Sequence, residues 1–89
     1  MADKPIILSP HAQDMAAERR IAEEWIVGVV RNPILTEPHP RRPGAVRAFG
    51  QIAAFGNRML RVVYCDAGIE YEVITVFFDR RATRRSRKP

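Results

Sequence analysis

Little in this 89-residue sequence is of the kind that names a chemistry. Cys65 is its one cysteine, which excludes an internal disulfide and any CxxC metal knuckle. Two histidines, His11 and His39, add too few ligands for a metal centre, so no metal or other cofactor is expected. The glycines are scattered rather than gathered into a phosphate-cradling loop, and no GxSxG or HExxH string occurs. Apolar runs are short: Ile52 to Phe55, and Val73 to Phe78 with Thr75 inside. A membrane-spanning helix needs about 20 apolar residues, so no membrane partner is expected. The start, Met1-Ala2-Asp3-Lys4-Pro5, lacks a basic run followed by an apolar stretch. A secretory leader is therefore not expected, and with one thiol the expected compartment is the reducing cytoplasm.

What is present is an ordinary globular balance, 46% hydrophobic and 28% charged, on a length that suits one small domain. The charge is uneven. Of 15 Lys and Arg, six lie in residues 80–89, leaving nine against ten Asp and Glu in residues 1–79. The expected organisation is a nearly neutral domain over 1–79 and a basic tail over 80–89. Such a tail either attracts polyanions or an acidic partner, or merely keeps the chain soluble.

Local signals give the elements. Ile6-Ile7-Leu8 reads as a short edge strand. Ser9 then caps a helix whose first residue, Pro10, has no N–H to leave unpaired. A second helix is expected where Trp25, Ile26, Val29 and Val30 recur at helical spacing, with Glu23 and Glu24 in its first turn. It ends at Asn32-Pro33. Strands follow at 34–37, 46–55 (with Gly50 at a bulge), 58–66 and 69–78, the last three joined by turns at Gly56-Asn57 and Ala67-Gly68. Strict alternation in the last strand places Tyr71, Val73, Thr75 and Phe77 on one face, and Ile74, Val76 and Phe78 on the other. The expected class is α+β: two short N-terminal helices packed on one face of a 3–5-stranded, mainly antiparallel sheet.

Two sets of side chains carry possible chemistry. His11, in the first turn of the first helix, suits a general base towards a ribose hydroxyl, or else packs at the helix entrance. Arg47 and Arg61 fall on neighbouring strands, Arg58 opens the second of these, and Arg80 and Arg81 leave the last strand. Arginine forks bind phosphate and stabilise charge at a phosphoryl centre. With Tyr64 or Tyr71 to stack on a base, they suit an RNA-binding face. The competing arrangement pairs them with Asp66, Glu70 and Glu72 as cross-strand ion pairs. His39, between prolines, reads as exposed, and Cys65 as a small buried hydrophobe.

His11-Ala12, then Arg19 and Ile21, then a helix ending Asn32-Pro33, resemble the start of domain-of-unknown-function family 4258. Leu60 to Tyr64 and Val73 to Phe77 resemble its last two strands, so the likeness covers most of residues 6–82. That family is similar in architecture to the RelE/ParE superfamily of bacterial toxins, and the ending Thr75 to Arg81-Ala82 looks like its BrnT branch. Two departures stand out: Met15 where the family often has a second arginine, and Arg20 where a glycine usually precedes the isoleucine. RelE-type members cut messenger RNA, usually without metal, and are held by a small antitoxin; ParE-type members poison DNA gyrase.

The resemblance implies a toxin-type protein acting on RNA, on the ribosome or free, as a metal-independent endoribonuclease of a toxin–antitoxin pair. The expected catalytic residues are His11, Arg61 and Arg81. The resemblance carries over His11, together with Arg19, whereas Arg61 and Arg81 come from the arginines of the sheet face and not from the resemblance. Arg19, Arg47, Arg58, Tyr64, Tyr71, Arg80, Arg84 and Arg85 are the expected RNA-binding residues. The alternatives are a non-catalytic nucleic-acid- or partner-binding module and a ParE-like inhibitor of a protein target.

Overall fold

The computed structural model describes residues 4–87. Residues 1–3 and 88–89, and the Arg87 side chain, lie outside the described residues, and with them part of the leader and basic-cluster readings. In chain order the elements are β1 (Ile6–Leu8), α1 (Pro10–Glu18), α2 (Glu23–Arg31), β2 (Leu35–Pro38), β3 (Ala45–Ile52), a 3-10 turn (Ala53–Phe55), β4 (Arg58–Asp66), β5 (Tyr71–Phe78) and α3 (Arg80–Arg87).

The expected fold class needs correction. The sheet is five-stranded and mixed, in the order β1-β5-β4-β3-β2, with β1 parallel to β5 and the other pairs antiparallel. There are also three helices among the described residues, not two, and the third is C-terminal. The molecule remains α+β. The parallel pair arises because β1 covers the free edge of β5 across a separation that turn signals do not report. Residues 80–87, expected as a tail, form α3 and pack on β4.

Local chemistry explains the N-terminal helices. The Ser9 hydroxyl accepts from the Ala12 N–H at 3.1 Å, with Pro10 at the first helical position. α1 ends in a Schellman arrangement, Ile21 N–H to Ala16 O at 2.8 Å and Arg20 N–H to Ala17 O at 3.3 Å. This motif needs a left-handed residue, and Arg20 supplies it with φ of 55°. The glycine usual there in the resembling family is the residue best suited to that conformation.

α1 packs on β5 and β1, and α2 on β3 and β4. Together they cover one sheet face with Ala12, Ala16, Ile26, Val29 and Val30, against Leu60, Val62, Val73 and Val76. Gly50 is not at a bulge: β3 and β4 pair in unbroken register through it. Instead it lets α2 approach, because a Cβ there would meet Val29 Cγ2 at 2.8 Å.

The bulge lies in β5. Val63 pairs with Thr75 and Tyr64 with Val73, so Ile74 is the extra residue. It shifts the alternation by one, placing Tyr71 and Val73 with Val76 and Phe78 on the helix-covered face. The carbonyl at the bulge is satisfied from outside the sheet, since the Ser9 hydroxyl donates to Ile74 O at 3.3 Å.

Candidate functional site

The other sheet face begins from three alternate positions on each of two strands: Arg47, Phe49 and Gln51 on β3, and Met59, Arg61 and Val63 on β4. Arg61 lies opposite Phe49 and Arg47 opposite Val63, which makes the two arginines diagonal neighbours. Among the described residues only α3 covers this face, and it does so at one end. Its sole buried apolar side chain, Ala82, meets Phe49 and Met59.

α3 has no apolar stripe, so polar contacts fix it. The Asp79 carboxylate caps it by accepting from the Ala82 N–H at 2.9 Å, and Asp79 N–H donates to Met59 O at 2.9 Å. The buried Thr83 hydroxyl accepts from the Met59 N–H at 2.8 Å and donates to Asp79 O at 2.8 Å. A helix that reads as a solvated charge run is thereby seated on β4.

Between α3 and the sheet lies an open cleft of about 670 Å³, lined by Arg47, Arg61, Arg81, Arg84 and Arg85, with Phe49, Glu37 and Asp79. Five guanidinium groups face two carboxylates, a formal balance of +3. Arg61 is the best-held of the five. Its guanidinium lies 4.3 Å from the Phe77 ring centroid and 5.9 Å from that of Phe49, and it pairs with Asp79 Oδ2 at 3.3 Å. Burial pulls its pKa below the ordinary arginine value, while Asp79 opposes that shift and Arg47 adds to it. Arg47 pairs with Glu37 on β2. Nε of Arg47 and of Arg61 are both buried and hydrogen-bond no protein atom. Each such unsatisfied buried group costs about 1–3 kcal/mol, a cost the fold carries to hold the two guanidiniums in place.

A second cleft of about 510 Å³ lies at the end of the sheet, where α1, the 3-10 turn and α3 meet. It is lined by Arg19, Arg58, Arg80 and Arg84, with Phe55, Phe78 and Thr83. Arg84 belongs to both clefts.

The expected site residues therefore separate. Arg47, Arg61, Arg81, Arg84 and Arg85 come together in the first cleft, and Arg19, Arg58, Arg80 and Arg84 in the second. His11 joins neither. It is exposed in the first turn of α1, a helix packed on the opposite sheet face, and so is not placed to act with Arg61. Tyr64 and Tyr71 also lie on that face, because the bulge at Ile74 turns Tyr71 towards Tyr64. Their rings meet edge to face at 5.3 Å. Burial, with Tyr71 and Asp66 nearby, raises the Tyr64 phenol. Lys4 stands 4.7 Å from the Tyr71 ring and pairs with Asp66.

The ion pairs expected of the strand arginines run elsewhere, to Glu37 and Asp79. His39 is half-buried, its Nδ1 accepting from the Arg41 N–H at 3.1 Å, and Cys65 is half-buried rather than buried. Reading the sequence missed Glu37, Phe49, Phe55, Phe77, Asp79 and Thr83. One signal did exist for Asp79: a cap-type residue directly after a strand and before a helix-competent run. Among the described residues no group of three or more His, Cys, Asp or Glu is placed to hold a metal, and no helix is long and apolar enough to cross a membrane.

Comparison with known families gives one match: residues 8–78 fit the family described as domain of unknown function (DUF4258). The chain belongs to that family. No curated protein and no solved structure matches. The DUF4258 match contains Arg47 and Arg61 but stops at the end of β5. Asp79 and the α3 arginines, half of the first cleft, lie beyond the matched residues.

Proposed function

We propose that this DUF4258 protein is a RelE-like, toxin-type protein that binds RNA in the cleft between α3 and the sheet and cleaves it without metal. The supporting observation is the convergence of five arginines on one cleft with two carboxylates and two buried, unsatisfied Nε donors. Guanidinium forks match the geometry of phosphate oxygens, and a desolvated guanidinium between two rings is held in place before the ligand arrives. In cleavage, the ribose 2′-hydroxyl attacks the adjacent phosphorus and the P–O5′ bond breaks, leaving a 2′,3′-cyclic phosphate and a 5′-oxygen that takes a proton from water. Arg61 and Arg81 stabilise the charge gathering on the phosphoryl oxygens. That attack needs a proton acceptor in the cleft. Since His11 is across the sheet, Glu37 takes the role; its side chain is 37% exposed against 13% for Asp79.

The test is fluorescence anisotropy with a labelled single-stranded RNA across a salt series, together with induced expression in a bacterial host and inspection of total RNA. Arg81→Gln and Arg85→Gln are expected each to flatten the slope of log affinity against log salt by about 0.7. Glu37→Gln is expected to keep binding and lose cleavage. Growth arrest with intact RNA would instead favour a ParE-like protein target. Binding without arrest or cleavage would favour a non-catalytic module.

A further inference from the structure

The second cleft differs from the first in having no acidic lining residue. Among the described residues none of Arg19, Arg58, Arg80 or Arg84 forms an ion pair. Four exposed guanidiniums thus surround aromatic surface without counter-charge. Phe55 is 40% exposed. It ends the 3-10 turn and is followed by Gly56 in the left-handed region, with φ of 65°. Beneath it Phe78 stacks at 4.7 Å and 29°, with Trp25 at 6.4 Å from Phe55 and 6.5 Å from Phe78. Arg58 stands 4.8 Å from the Phe55 centroid. Phe78 and the Arg58 guanidinium therefore both stand against the Phe55 ring, which stays 40% exposed.

We infer that this second cleft is a base-stacking subsite, in which Phe55 and Arg58 receive an unpaired base while Arg84 carries the backbone on from the first cleft. The inference rests on the RNA-binding reading of the first cleft and narrows its substrate class to single-stranded RNA. A planar base fits an exposed, pre-supported ring, and its phosphates fit guanidiniums that lack a partner. Paired bases present no free face to Phe55, so a duplex gains only the phosphate contacts. Continuity between the clefts comes from Arg84, which lines both and so makes their occupants adjacent units of one chain.

The experiment compares three probes on the full chain by anisotropy: a single-stranded RNA, a duplex of the same sequence, and an abasic oligomer of equal length. Phe55→Leu keeps an apolar side chain on Phe78, and Arg58→Gln provides a second variant that keeps the Phe55 ring and removes the guanidinium over it. Phe55→Leu is expected to weaken single-stranded RNA by about 5- to 150-fold and to leave the abasic oligomer unchanged, whereas Arg58→Gln, which also removes a phosphate contact, is expected to weaken both. A nucleoside monophosphate is also expected to change the fluorescence of Trp25, the single tryptophan, in the native chain but not in Phe55→Leu. Unchanged affinity of Phe55→Leu for all three probes, while Arg81→Gln still weakens binding, would overturn the stacking subsite and leave the first cleft standing. Absence of RNA binding by the native chain would overturn both.

Discussion

The two faces of this sheet are made from the same strands and solve different problems. On one face, two nine-residue helices close over Leu60, Val62, Val73 and Val76, all at 0% exposure. On the other, one eight-residue helix with a single buried apolar side chain leaves room for Arg47 beside Glu37 and for Arg61 between Phe49 and Phe77. Aliphatic packing there is replaced by guanidinium–ring contacts and by a carboxylate that serves both a helix cap and an ion pair. The contrast shows how a domain of this size divides its labour. Stability is concentrated where apolar area is removed from water, and desolvated charge is carried on the face that contributes less to holding the fold.

Mutations should break this contrast unequally. Leu60→Ala, on the closed face, is expected to cost about 2–5 kcal/mol in a denaturant melt. Gly50→Ala forces a methyl against Val29, whose branched side chain has little rotamer freedom, and is expected to cost about 1–3 kcal/mol. Thr83→Val acts on the open face. It leaves the Met59 N–H unsatisfied and is expected to cost about 1–3 kcal/mol. Unlike the other two, it should also lower RNA affinity in the folded protein, because α3 carries three of the five cleft arginines.

The reach of the sequence follows the same division. Helix starts, the β4 span and the adjacency of Arg47 and Arg61 are legible because they depend on caps, turns and alternation over a few residues. The covered face of β5 is not, since one extra residue at Ile74 reverses every assignment beyond it and has no local signature. Nor is α3. Its charge-rich sequence hides a docking made by Thr83, Asp79 and backbone groups of β4 rather than by an apolar stripe. The candidate site was half legible for that reason: its arginines could be named, but not the rings, the carboxylates or the split into two clefts.

Two smaller effects sharpen the comparison. Arg20→Gly removes a side chain from a left-handed position on the helix-covered side and is expected to stabilise by up to about 1 kcal/mol. Its readout is a higher melting temperature with unchanged RNA affinity. The smallest effect is alkaline. Tyr64 is raised in the folded state, so its contribution is complete below the ordinary tyrosine range and is lost as pH rises through the folded value. Stability is expected to fall across that window. In Tyr64→Phe the fall should be shallower, as followed by phenolate absorbance and circular dichroism.

The parallel pairing of β1 with β5 also governs when the molecule can form. Ile6 pairs with Tyr71, 65 positions later. α2 meets β3 and β4 only after residue 66 has been added, and α1 meets β5 only after residue 78. At a synthesis rate of about 5–20 residues per second, the apolar faces of the two helices wait seconds for their sheet. The hairpins β3–β4 and β4–β5, joined by short turns, can assemble first because their contacts are local. Folding should therefore proceed from the C-terminal half backwards, with the first strand made being the last to enter the sheet.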